Sequence, residues 1–205
     1  MEVLVAGLAL QELEHYKYED IPAENTIRIL TLYPGASRTR LEGRLEFANL
    51  DDKPQYEAIS YVWGDPTRCE EIIINNKSLA LTQSISDALQ RMRHETELRQ
   101  LWADQISINQ DDLVERGKQV RLMGQIYKGA MRVLIWLGRD EENLARLALN
   151  KFRCLKNIFD DGVQLKKFTE DQKECLETLD DGSWPSLRKF YNLPWVSLCL
   201  PGTLL

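Results

Sequence analysis

Along the chain, apolar and polar positions change period several times, and each change predicts an element. TIRILTLYPG (residues 26–35) is rich in β-branched and leucine positions and ends at the turn dipeptide Pro34-Gly35, which predicts a strand. LEGRLEFANL (41–50) alternates and predicts its hairpin partner. YEAISYVWGD (56–65) predicts an aromatic-rich strand that stops at Gly64. EEIIIN (70–75) and SLAL (78–81) flank Asn76-Lys77, which predicts a tight hairpin. The period then changes to helical: Ile85, Ala88, Leu89 and Met92 fall at i, i+3, i+4 and i+7, with Ser84 as the expected N-cap. The first eighteen residues carry little periodicity and predict a loose arm.

The segment 101–138 is the most informative. LWAD (101–104) reads as a short strand ending in an acid, QISINQDD (105–112) as a loop, and residues 115–130 as a helix. Leu122, Met123, Ile126, Tyr127 and Ala130 share one face of that helix, whereas Lys118, Arg121, Gln125 and Lys128 lie opposite. VLIWLG then closes the unit as a strand. Being apolar throughout, VLIWL is expected to be central and buried on both faces. From Asp140 onward the pattern is helical, with Ala145, Ala148, Leu149 and Phe152 on one face, a break at FDDG (159–162) and a cap at Thr169-x-x-Gln172. Strands alternating with helices predict an α/β fold, a parallel sheet flanked by helices with β-hairpin additions toward the N-terminus.

In such sheets ligands bind beyond the carboxyl ends of the strands, beside helix N-termini. Asp104 closes one strand, Glu115 opens the next helix, and Asn109 and Gln110 lie between them. Glu115, Arg116 and Gln119 sit on the side of the helix that becomes apolar further along, where a charge needs a partner or a ligand. Ser60, Trp63 and Asp65 end the preceding aromatic strand and are candidates for the same pocket. Two readings stay open at this point. The residues form a ligand site, or they form a structural polar network in which Asp112-x-x-Glu115 is a capping box and Arg116 pairs with Asp104.

Composition narrows the chemistry. Hydrophobic residues make up 43% and charged residues 28% of the 205 positions, as in an ordinary globule. A net charge of -6 argues against nucleic acid, which needs clustered Lys and Arg; RMRHETELR gathers bases, but Glu95 and Glu97 interrupt them. Cys69, Cys154, Cys175 and Cys199 are widely spaced, without a CxxC pair, and there are two histidines, so no metal is expected and reduced thiols in a cytoplasmic protein are the simpler reading. The apolar start MEVLVAGLAL is short and lacks a basic flank, and no run is long enough for a membrane span.

Three blocks together carry a family likeness: AISYVWGD (58–65), LWADQISINQ (101–110), and ER-x-x-Q-V-x-x-M-x-x-I-Y-x-x-A (115–130) followed by VLIWLG. In this order and spacing the chain resembles the heterokaryon incompatibility domain of filamentous fungi, and YKYEDIPAENTIRILTLYPG (16–35) resembles that family's lead-in. The resemblance implies an arm (1–25), a domain core (26–139) and a helical part (140–205) that is incomplete relative to the family. It implies a TIR-like, flavodoxin-like sheet and a role in allorecognition and programmed cell death, acting through protein partners or self-association. TIR-like domains also imply NAD as a substrate, cleaved at the nicotinamide–ribose bond beside a carboxylate. Family members commonly continue into W-x-x-Q-E. Here PWVSLCLPGTLL follows instead, so the expectation is a truncated or degenerate copy lacking the glutamate that such chemistry would use.

Overall fold

The computed structural model describes residues 13–140, 144–160 and 184–199. The chain divides into two compact units, Met1–Trp136 and Leu137–Leu205. The strands of the first unit are β1 (Thr26–Leu32), β2 (Leu41–Asn49), β3 (Glu57–Tyr61), β4 (Arg68–Ile74), β5 (Lys77–Thr82), β6 (Arg99–Trp102) and β7 (Arg132–Trp136). Its helices are α1 (Gln83–Met92), the single turn α2 (Asp104–Ser107) and α3 (Leu113–Gly129).

The seven strands form one sheet in the order β5-β4-β2-β1-β6-β3-β7. β1 is its centre, with all seven positions buried. Alternation sends Ile27 and Ile29 into one core and Leu30 and Leu32 into the other. The first core gathers Tyr56, Ala58, Trp102 and Ile108 under Ile126 of α3; the second gathers Ile59, Ile72, Ile74, Leu81 and Leu101 under Ile85 and Leu89 of α1. Helices therefore flank a mixed sheet.

The sheet differs from the expectation in two respects. It is not parallel throughout: β6, β3 and β7 run parallel, as do β2 and β4, but β1 is antiparallel to both β2 and β6, and β4 is antiparallel to β5. The β1–β2 hairpin thus lies in the middle of the sheet and is no appendage. And β7 is not central. Among the described residues it pairs with β3 alone, and Val133 and Ile135 are 42% and 48% exposed. An apolar run identifies a strand but not its place in the order, because the fully apolar pattern of a central strand and that of an uncovered edge read alike.

Local chemistry explains several boundaries. Asn75 and Asn76 both take positive φ (51° and 63°), so the β4–β5 turn is one residue earlier than the sequence predicts. Gly43 of β2 lies opposite Leu32, where a Cβ would come within 2.6 Å of the Thr31 carbonyl oxygen. Ser84 does not cap α1; the N-cap is Thr82, and the Ser84 hydroxyl donates to the Val62 carbonyl (2.7 Å). Nor is the described part of the arm loose. The Tyr16 N–H donates to the Ser78 carbonyl and the Ser78 N–H to the Glu14 carbonyl, both at 2.8 Å, which pins the arm to the outer edge of β5 at Ser78.

In the second unit, α4 (Leu144–Asp160) packs against α5 (Trp184–Tyr191), which is followed by α6 (Pro194–Cys199). Ala148 is buried, as its helical period predicts, whereas Leu149 is 48% exposed. The expected cap at Thr169-x-x-Gln172 lies outside the described residues.

Candidate functional site at the strand ends

β3 and β6 run parallel and end side by side, which brings together residues 41 positions apart. The Trp63 indole Nε1–H donates to Asp104 Oδ2 at 2.9 Å. The other oxygen, Oδ1, accepts the Gln105 N–H at 2.7 Å, because Asp104 is not a strand terminus but the first residue of α2. Ser60 and Tyr61 complete the end of β3, and Tyr127 reaches them from α3, donating to the Ile59 carbonyl at 3.2 Å. Burial first, and the Asp104 carboxylate second, raise both phenols: Tyr127 is pushed up to about 12, against a smaller opposing effect of the Ser60 hydroxyl, and Tyr61 far above the ordinary tyrosine range. Both therefore stay neutral at neutral pH. The result is one carboxylate held among Trp63, Tyr61 and Tyr127, all four side chains partly accessible. Such a group can stabilise positive charge on a ligand stacked against the rings.

A second network forms at the start of α3. Asp112 is the N-cap and accepts from the Val114 and Glu115 N–H groups at 2.8 and 3.0 Å. Half of the anticipated capping box is thus present, which leaves the Glu115 carboxylate free to turn inward. It meets Arg28 of β1 in a bidentate pair, with Nη1 to Oε1 at 2.6 Å and Nη2 to Oε2 at 2.9 Å, and also accepts the Asn109 N–H at 2.7 Å. Arg28 further donates to the carbonyls of Ser107 and Glu19 and lies over the rings of Tyr18 and Phe47. Gln119 donates to the Thr26 carbonyl at 2.9 Å.

The candidate residues are therefore not gathered around one cavity. Glu115 and Gln119 line a cavity of ≈ 680 Å³ between α3 and residues 20–26, and Asn109 and Gln110 line another of ≈ 540 Å³. Asp104 lines neither, and shares the strand ends with Trp63 and the neighbouring Ser60. Asp65 is exposed and holds its own turn by accepting the Thr67 N–H at 2.8 Å; hydrogen bonds from Thr67 keep its carboxyl below the usual range. Arg116 is exposed, and instead of pairing with Asp104 it donates to the Gln110 carbonyl at 3.3 Å. Arg28 escaped the sequence reading. Its signal was an arginine in an otherwise buried strand, TIRILTL, which demands an acid from elsewhere in the chain. Among the described residues there is no group of three or more His, Cys, Asp or Glu able to hold a metal ion, and no helix long and apolar enough to cross a membrane.

The family model for heterokaryon incompatibility protein (HET) matches residues 56–197. The chain belongs to the HET family. It is 42% identical over 139 residues to heterokaryon incompatibility protein 6, OR allele, of Neurospora crassa, an alignment covering 60% of this chain and 20% of that protein. The HET chain thus spans about a fifth of the curated relative it matches. No solved structure matches it. The family match begins one residue before β3 and takes in the whole Trp63–Asp104 cluster and the Asn109, Asp112, Glu115 and Gln119 side of the second network, whereas Arg28, the partner of Glu115, lies upstream of it.

Proposed function

We propose that this HET chain is a signalling module of fungal allorecognition and programmed cell death, and that it acts by self-association. Family membership carries the reading, and the name of the Neurospora relative agrees with it. The surface supports the mode of action. β7 offers unpaired backbone groups on its outer side among the described residues, together with exposed Met131, Val133 and Ile135. An apolar strand edge of this kind favours pairing with another chain. Induced expression in a filamentous fungal host is expected to arrest growth. The double variant Val133→Lys/Ile135→Lys, with an unchanged circular dichroism spectrum, is expected to lose both the arrest and concentration-dependent self-association in sedimentation. Normal growth of a host accumulating the folded parent protein would defeat the proposal.

A second reading, a TIR-like NAD glycohydrolase, is favoured by one observation: the Asp104 carboxylate is held beside three aromatic side chains at the ends of parallel strands. A carboxylate so placed could stabilise the oxocarbenium-like centre that forms when the nicotinamide–ribose bond breaks. Free nicotinamide released from NAD by the purified chain, and lost in Asp104→Asn, is the expected outcome. Absence of turnover at high protein concentration would remove this reading.

A further inference from the structure

The two cavities beside the loop after α2 differ in charge. The one of ≈ 680 Å³ is lined by four carboxylates, from Asp20, Glu24, Asp112 and Glu115, against two bases, Lys118 and Arg121. The one of ≈ 540 Å³, between the arm, β5 and the loop that leads to α3, is lined by His15, Lys17 and Arg68 with Asp111 as its one carboxylate. In a chain of net charge -6 this is a local reversal of sign. Its size is that of a small-molecule site.

Gln110 and Ser78 are satisfied within the protein, Gln110 Nε2 donating to the Asp104 carbonyl at 2.7 Å and the Ser78 hydroxyl to Glu71 at 2.6 Å, but one buried donor of this cavity is not. Gln105 lines it and is 4% exposed. Its Oε1 accepts the Thr82 N–H at 2.9 Å and lies 3.3 Å from the Thr82 hydroxyl, which fixes the orientation of the amide; its buried Nε2 then has no hydrogen-bond partner. Asn109 is turned in the same manner, its Oδ1 accepting the Asp111 N–H at 3.3 Å. Lys17 makes no ion pair among the described residues. Arg68 faces Asp111 at 3.8 Å, but the two side chains are 39% and 84% exposed, so the pair is weak and readily exchanged for another anion. The rings of Tyr16 and Tyr18, 5.1 Å apart and edge to face, form an aromatic wall.

From this arrangement we propose that the cavity is a binding site for a small phosphate-bearing molecule. Donors arrive from the arm (Lys17), from β4 (Arg68) and from α2 (Gln105), that is, from separate directions. The oxygens of a phosphate accept from several directions at once, whereas those of a carboxylate lie in one plane. Arg68 supplies the planar fork, Lys17 the point charge, and the ligand provides the acceptor that the Gln105 amide lacks. This site is independent of β7 and does not rest on self-association.

Titration calorimetry of the full chain with pyrophosphate, at fixed ionic strength in chloride buffer, tests the assignment. A saturable isotherm with one site is expected, with citrate binding at least roughly tenfold more weakly. Lys17→Gln and Arg68→Gln alter exposed side chains and are each expected to weaken binding by about tenfold. Asp111→Asn removes the competing carboxylate and is expected to tighten it, an effect that misfolding cannot imitate. No saturable binding, equal binding of citrate, or unchanged affinity in all three variants would overturn the proposal.

Discussion

Arg28 and Glu115, 87 residues apart in the chain, meet in a bidentate ion pair with the two side chains 2% and 9% exposed. The pair joins the central strand to the first turn of α3 and draws in the Asn109 N–H and the Ser107 carbonyl. A buried pair of this kind contributes little over an apolar substitute, but removing one partner strands the other charge. Glu115→Ala is therefore expected to cost about 3–5 kcal/mol in urea unfolding, and the double variant Arg28→Met/Glu115→Leu much less than the sum of the single changes. Additive losses in the double-mutant cycle would show that the two side chains are not energetically coupled.

Glu57 is expected to contribute to the acid limit of stability. It is 4% exposed in β3, with the guanidinium of Arg99 bonded to it and that of Arg132 at 2.5 Å. The hydrogen bond from Arg99 is the largest effect and holds the carboxyl below its ordinary value, against the opposing effect of burial. Because the folded value is the lower one, the stability this group confers is complete above the unfolded value, about 4.3, and is lost as pH falls through the folded one. Glu57→Gln is expected to lower stability at pH 7 by about 1.5–3 kcal/mol and to flatten the fall in Tm between pH 5 and pH 2. A parallel pH profile in the variant would contradict this assignment.

The β4–β5 turn offers a gain. With both Asn75 and Asn76 at positive φ, Asn76→Gly places a residue without the Cβ penalty in the left-handed region and is expected to raise Tm by a few degrees. Asn76→Val is expected to lower stability by about 1–2 kcal/mol. Thermal melts of the two variants should fall on opposite sides of the parent.

Gly43 is constrained by close approach and not by φ. Its missing Cβ leaves room for the Thr31 carbonyl in the middle of the sheet. Gly43→Ala is expected to cost about 1–3 kcal/mol by overpacking against backbone that cannot move aside. Chemical denaturation of the variant provides the check, and an unchanged midpoint would mean that β2 can shift.

Sequence pattern identified all seven strands and the two long helices of the first unit, because alternation and helical period are local properties. It did not reveal their order. That β1 is central and β7 is an edge depends on which strands pair, and TIRILTL and RVLIW carry similar apolar signals. The candidate site divides along the same line. That Glu115 and Gln119 turn inward was legible from helical spacing, and both are buried. Arg116 follows the exposed face, since its guanidinium finds the Gln110 carbonyl near the surface. The pairing of Trp63 with Asp104 was hinted at by the rule that strand ends gather ligands. The pairing of Glu115 with Arg28 was not, because an ion pair across 87 residues leaves no mark on spacing.

The contact of Glu14 and Tyr16 with Ser78 has a consequence for stoichiometry. It occupies the outward hydrogen-bonding groups of Ser78 on the far side of the sheet, so among the described residues β7 is the more open border for an added strand. On the self-association proposed above, two molecules joined through β7 are expected to form a discrete pair.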